Sequence, residues 1–150
     1  MFTHKEQQIL PYPIEHVYAI VAGVEAYPEF IPWVTSVKVL DKQDNKISYE
    51  ICVGFKGLST SFVTEDVFEL NKNIEISLVK SNKISSPFKS LYNVWRFEKI
   101  DENHTLVHFH IDFDFKSIIL GKMFSGVFLL AQQKIFQSFH NRAEHTYNKN

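Results

Sequence analysis

The stretch VHFHIDFDFKSIILGKMFSGVFLLAQQKIFQSFH, residues 107–140, changes its hydrophobic period in mid-course. Up to Phe115 the apolar residues fall on every second position: Val107, Phe109, Ile111, Phe113 and Phe115, with His108, His110, Asp112 and Asp114 between them. That is the period of a half-buried strand, whose successive side chains point to opposite faces. Beyond Ser117 the apolar residues recur at helical spacing instead. Phe124, Phe128, Ala131, Ile135 and Phe139 step by 4, 3, 4 and 4 and form one stripe, while Lys122, Gln133, Gln137 and His140 fall off it. The spacing predicts a helix from residue 117 to about residue 145, roughly 42 Å long. A sheet face and a helix stripe of this kind must cover each other, because both are too apolar to remain in water.

Working back toward the N-terminus, Leu91, Asn93, Trp95 and Phe97 share one face of a strand joined to the last one by a turn at residues 101–103. Residues 82–90, with Pro87, read as a loop. Ile74, Ile76 and Leu78 mark a short strand, and a tight connection at 71–73 links it to a long strand over residues 58–70. Ile47, Tyr49, Ile51, Val53 and Phe55 alternate with polar or small residues, and Gly54 and Gly57 bracket a turn. Val37 and Val39 belong to a further strand, ended by a turn at 41–45. Residues 3–10 form a first strand, which Pro11 and Pro13 end because proline lacks the ladder donor. Ile14, Val17, Tyr18 and Val21 are the stripe of a helix that opens at Pro13 and closes at Gly23. A second short helical piece, residues 24–31, is cut by Pro28 and stopped by Pro32.

The order is strand, two short helices, six strands, long helix. Short connections imply antiparallel pairing. The expected fold class is α+β: one domain over residues 1–150, with a strongly curved antiparallel sheet wrapped around a long C-terminal helix. No internal repeat, linker or low-complexity segment interrupts it.

Composition narrows the function. Fourteen Phe, six Tyr and two Trp exceed what a core of 150 residues needs, and most of these rings carry no polar handle. Such a surplus lines a cavity or an interface. A net charge of −1 gives no global field for nucleic acid, and DNA is not an expected partner. Only Arg96 and Arg142 accompany fourteen Lys, which argues against bidentate phosphate recognition as the main task. The single Cys52 has no internal partner for a disulfide and fits a reducing compartment. The N-terminus lacks a basic region followed by an apolar one, so no signal peptide is expected. The apolar run at 118–131, interrupted by Lys122, Ser125 and two glycines, reads as too short to span a bilayer.

His108 and His110 have metal-ligand spacing on one strand face, but that face opposes the apolar one and offers no evident third ligand, so a solvated face is expected. Cys52 has no basic neighbour in sequence to activate it. Glu65 and Asp66 point to opposite faces of a strand. No catalytic residue, metal site or cofactor is expected. Trp95 offers a stacking surface and an N–H donor, and Asn93 offers further donors; if Asn93 faces inward it needs a partner. The rings of the last strand and of the helix either interdigitate fully or enclose an apolar cavity, for which ~300–1,000 Å³ would be typical. Lys80, Lys83, Lys89, Lys116 and Lys122, with Phe88 and Leu91, form a basic and apolar rim suited to an anionic membrane surface.

Three segments carry a family resemblance: LPYPIEHVYAIVAGVEAYPEFIPWV (10–34), SPFKSLYNVWRFEKI (86–100) and VHFHIDFDFKSIILGKMF (107–124). Together they resemble the coenzyme Q-binding family of START-like, helix-grip domains, within the polyketide cyclase/dehydrase and lipid transport superfamily. Val34 departs from it, since many members carry Cys after the Pro-Trp pair. The family also includes bacterial ribosome-association toxins of the RatA type. The resemblance implies a non-enzymatic protein that binds ubiquinone, a polyprenylated quinone, in support of respiratory electron transfer or quinone biosynthesis. Its expected place is the bacterial cytoplasm, in peripheral contact with the inner membrane or with respiratory or biosynthetic enzymes. The alternative is a factor binding the large ribosomal subunit, and a lesser one is a cyclase-like enzyme. The expected ligand-lining residues are Trp33, Phe55, Phe88, Leu91, Asn93, Trp95, Phe97, Phe109, Phe113, Phe124, Phe128 and Ile135.

Overall fold

A computed structural model describes residues 1–81 and 83–147. Its elements run β1 (Phe2–Leu10), α1 (Ile14–Ala22), a 3-10 helix (Val24–Glu29), β2 (Val34–Gln43), β3 (Lys46–Phe55), β4 (Leu58–Glu69), β5 (Asn73–Val79), β6 (Phe88–Asp101), β7 (His104–Phe115) and α2 (Ile118–Tyr147). The strands form one antiparallel sheet in the order β1-β7-β6-β5-β4-β3-β2. Every neighbour from β2 to β7 is also a neighbour in sequence, so hairpin loops suffice. Only β1 is carried across, by α1 and the 3-10 helix, to pair with β7. Irregular register at Val34/Ser36 and Val39/Asp41 in β2, and at Phe88/Ser90 and Lys99/Asp101 in β6, bends those strands. The curved sheet holds α2 in its concave side.

The local reasons are legible. Pro13 caps α1 with an extended backbone, and the Gly23 N–H closes the helix on the carbonyl of Ala19. The β3–β4 hairpin turns on Lys56 and Gly57, both with positive φ, which glycine adopts without a Cβ penalty. Ser117 caps α2: its hydroxyl accepts the Leu120 N–H at 3.1 Å.

Two sequence expectations change at their ends. The turn predicted at 41–45 shrinks to Asp44 and Asn45, because β2 continues to Gln43. The loop predicted at 82–90 gives up residues 88–90 to β6, where Phe88 pairs with Phe115 across an irregularity that Pro87 had obscured; residue 82 lies outside the described residues.

The C-terminal half of α2 is gripped from both sides. Phe136 and Phe139 pack on Trp95 of the sheet, while Tyr27 and Phe30 pack edge-on against Phe139. Arg142 lies over the Phe30 ring and pairs with Glu29 at 3.1 Å, and His16 Nε2 lies 3.0 Å from the carbonyl of Ala143. The N-terminal half is held on one side only, leaving Ile118, Ile119, Met123 and Leu129 exposed. By length and composition α2 could cross a membrane, with 11% of its apolar window buried. This corrects the expectation that the run at 118–131 is too short, since the helix extends well beyond it. In this fold its core face is nonetheless buried, through Phe124, Val127, Phe136, Phe139 and Ala143.

Candidate functional site

The concave face is built of two ring clusters with a gap between them. At one end Phe62, Phe113, Phe115 and Phe128 surround Phe88, with centroids 5.1–5.9 Å away. At the other, Trp95 meets Phe109, Phe136 and Phe139 at 4.7, 5.8 and 5.1 Å. The side chains between these pillars are shorter: Ala131 and Ile135 on α2, against Leu91, Asn93, Ile76 and Ile111 on the sheet. There the layers fail to meet, and a cavity of about 170 Å³ remains. It is almost wholly apolar, and its lining reaches solvent at half-buried His4 of edge strand β1 and exposed Gln132 of α2.

Eight of the expected residues line this cavity: Trp33, Leu91, Asn93, Trp95, Phe109, Phe113, Phe128 and Ile135. Four do not, and are corrected here. Phe88, 1% exposed, is the centre of its ring cluster. Phe97 packs edge-on to Tyr18 at 5.2 Å, under α1. Phe124 belongs to the core on the α2 stripe, before the cavity begins. Phe55 lies at the β3–β4 turn, where its ring meets Gly126. Phe55, Phe97 and Phe124 obey the right periodicity, but their position along the element puts them beyond the void, whereas Phe88 falls out of the alternation and joins the inner face only through the irregularity at Phe88/Ser90. Phe88 and Leu91, expected on a membrane rim, are both buried, so the exposed apolar residues of that end come from α2 instead.

The cavity's polar groups were not foreseen, apart from Asn93. Its amide nitrogen donates to the carbonyl of His110 at 2.8 Å, which supplies the partner an inward amide needs. Tyr27 donates its hydroxyl to the carbonyl of Val21, and burial pushes its pKa well up. Thr64, 1% exposed and in the lining, donates to Asp66 Oδ1 at 2.8 Å. Burial, opposed in part by this hydrogen bond, raises the Asp66 carboxyl to about 7. The strand alternation of Phe62, Thr64, Asp66 and Phe68 carried the signal: two polar residues in register with rings. At the mouth His4 Nε2 and Gln8 share Glu6, at 3.1 and 2.7 Å. Val34, the residue that departs from the family pattern, lines the cavity.

The convex face carries a separate groove of about 370 Å³ over β1, β7 and β6, lined in part by Lys5, Arg96, His108 and His110. His108 pairs with Glu98 at 3.5 Å and His110 with Asp112 at 3.0 Å. Thr3 and then His110 hold the Asp112 carboxyl below its usual range. Among the described residues no three His, Cys, Asp or Glu side chains converge as metal ligands would.

A curved seven-stranded sheet gripping a terminal helix around an apolar hollow defines the helix-grip, START-like class. The chain belongs to the polyketide cyclase / dehydrase and lipid transport family, whose pattern matches residues 10–140. Its relatives include the persistence and stress-resistance toxin PasT of Escherichia coli, 30% identical over 93% of this chain and 85% of that protein. The ribosome association toxin RatA of Rickettsia prowazekii is 28% identical over 96% and 97%. The mitochondrial coenzyme Q-binding protein COQ10 of Dictyostelium discoideum is 29% identical over 97% of this chain and 70% of that one. Among solved structures, an 18 kDa protein of Caulobacter crescentus matches with TM-score 0.76 and 31% identity over 99% of both chains. The Zhui aromatase/cyclase of Streptomyces sp. R1128 matches with TM-score 0.82 at 14% identity, over 95% and 93%, which shows a shared fold.

Proposed function

We propose that the chain binds the ring and first isoprene units of a polyprenylated quinone, ubiquinone foremost, beneath α2, and acts as a carrier without a chemical step of its own. The observation that carries this reading is the void itself: an apolar cavity of about 170 Å³ held open between two ring clusters. An apolar cavity of about 150 Å³ suffices to hold benzene, so this one takes a single six-membered ring. It falls below the expected range of ~300–1,000 Å³ for a whole ligand. The remaining tail must therefore leave at the His4–Gln132 mouth and lie over the exposed Leu129, one turn away on α2. Each CH₂ it buries adds roughly 0.8 kcal/mol. The resemblance to a coenzyme Q-binding protein supports the choice of guest. In a bacterium the carrier would work in the cytoplasm, at the inner face of the inner membrane, and hand quinone to respiratory or biosynthetic enzymes.

The test is solvent extraction of protein purified from a ubiquinone-making host, read by mass spectrometry. Wild type yields ubiquinone; Ala131→Phe, which fills the gap between the pillars, yields little or none. Equal yields, or none from either protein, would reject the pocket. Trp95→Ala is a poorer choice, since Trp95 is also a core pillar and its loss costs about 3–5 kcal/mol.

A second reading rests on the convex groove and on the toxin relatives. One of the chain's two arginines, Arg96, stands there with Lys5, His108 and His110, and this suits phosphates of ribosomal RNA. In that case added protein converts assembled ribosomes to free subunits in a sucrose gradient, and Arg96→Glu abolishes the effect. An unchanged gradient counts against it. The two readings use opposite faces of the sheet, so Ala131→Phe leaves the ribosome activity intact.

A further inference from the structure

Asp66 is a carboxyl 1% exposed, and no cation is among the groups that act on it. Among the described residues its one side-chain hydrogen bond comes from Thr64, which is itself a residue of the cavity lining. Three other polar residues of the lining are placed differently. Tyr27 is tied to a backbone carbonyl, Asn93 gives one N–H to another, and His4 sits at the mouth. Among the described lining residues, Thr64 is thus the one that hydrogen-bonds a buried acid.

We propose that Thr64 and Asp66 form a proton-counting subsite that hydrogen-bonds a ring oxygen of the guest and chooses between its oxidised and reduced forms. This rests on the quinone reading above. With Asp66 ionised, the pair owns one hydroxyl proton, and Thr64 spends it on the carboxylate. Thr64 then faces the cavity as an acceptor only, which suits the hydroxyl of a hydroquinone. With Asp66 protonated, the pair owns two such protons and needs one for its internal bond. Asp66 donates to Thr64, and the Thr64 proton is free for the carbonyl of a quinone. No electron moves and no covalent bond forms; the carboxyl exchanges one proton with solvent.

The groups that surround the acid permit this exchange near neutrality. Tyr49 of β3 and Tyr27 of the 3-10 helix both feel its charge, and Glu25 adds to that felt by Tyr49. Its register partners are Ile47 on β3 and Ile76 on β5. With burial the leading cause, its carboxyl stands at about 7.

The experiment measures the affinity of a decyl-substituted benzoquinone and, under anaerobic reduction, of its hydroquinone, at pH values about 1.5 units either side of that midpoint. For wild type, the ratio of the two affinities shifts toward the hydroquinone by about tenfold from the acid to the alkaline condition, the worth of one hydrogen bond. Asp66→Asn, whose amide can donate to Thr64 permanently, holds the quinone-preferring ratio at both. Thr64→Val removes the shift while tail-driven affinity persists, and Thr64→Ser restores it. A ratio unchanged with pH in wild type, or a shift that survives in Thr64→Val, overturns the subsite while leaving the carrier reading standing. If neither form binds wild type, the carrier reading falls and this subsite with it.

Discussion

Asp66 shows at the scale of one residue how burial sets chemistry. Its carboxyl rises from 3.8 to about 7 because the folded chain withdraws water and supplies only a threonine hydroxyl in return. A raised pKa means that the folded state binds the proton more tightly than the unfolded one. The stability linked to that proton is complete below about pH 4 and is lost as pH climbs through about 7. Urea unfolding followed by circular dichroism should show wild type losing on the order of 4 kcal/mol across that window relative to Asp66→Asn. Parallel curves for the two proteins would disprove the assignment. Phe88 teaches the reverse lesson. It reads as a ligand contact because its neighbours in sequence do, yet four rings enclose it. Phe88→Ala should cost about 3–5 kcal/mol in the same assay, and a loss below about 1 kcal/mol would contradict its burial.

Among the elements, α2 carries the most information, since its two halves are held differently. Its apolar stripe is legible from a period of 3 and 4, and Phe128, Ala131, Ile135 and Phe139 do face the sheet or the cavity. Val127, Phe136 and Ala143 are also buried and fall outside that stripe; Phe136 packs on Trp95 and Phe109, and Phe136 and Ala143 also lie against α1, which covers a second side of the helix's C-terminal half. Two glycines sit where α2 approaches the strand ends. A Cβ on Gly126 would meet the Phe55 ring at 3.5 Å, an ordinary contact, whereas one on Gly121 would meet Phe115 at 3.3 Å. Gly126→Ala should therefore stabilise by about 0.5–1 kcal/mol, a rise of roughly 1–4 °C in Tm by calorimetry. Gly121→Ala should gain less, because Phe115 must give way. If Gly121→Ala were the more stabilising of the two, the helix would not lie this close to β7.

For the whole molecule, the one-sided grip leaves the start of α2 as an apolar knob, with Ile118 80% and Ile119 71% exposed beside Lys116 and Lys122. No acidic residue interrupts α2 before Glu144. In the carrier reading this end meets an anionic bilayer, where each lysine contributes about 1 kcal/mol. Co-sedimentation with vesicles containing anionic lipid should weaken at high salt, and weaken further in the double variant Lys116→Glu, Lys122→Glu. Binding indifferent to both changes would remove this end from the docking surface. Cavity and knob share one helix, so a membrane that draws the N-terminal half of α2 outward would also widen the 170 Å³ hollow toward the size of a longer guest.

Periodicity alone determined the order of elements, the antiparallel sheet and which face of each strand turns inward, because alternation and helical spacing are local properties of the chain. Residues such as Trp95, Phe109 and Ile135 were legible as inward-facing for that reason. Whether inward-facing side chains meet or leave a gap is not local. It depends on which residue of α2 comes to lie opposite which residue of the sheet, across a sequence separation of forty residues or more for Leu91 and Ala131. Only the tertiary structure gathered Ala131, Leu91 and Ile111 around one hollow, placed Phe88 among rings outside it, and brought Thr64, with Asp66 behind it, to the lining. Close packing rewards every methylene that finds a neighbour, and a void survives where short side chains face one another between pillars of long ones.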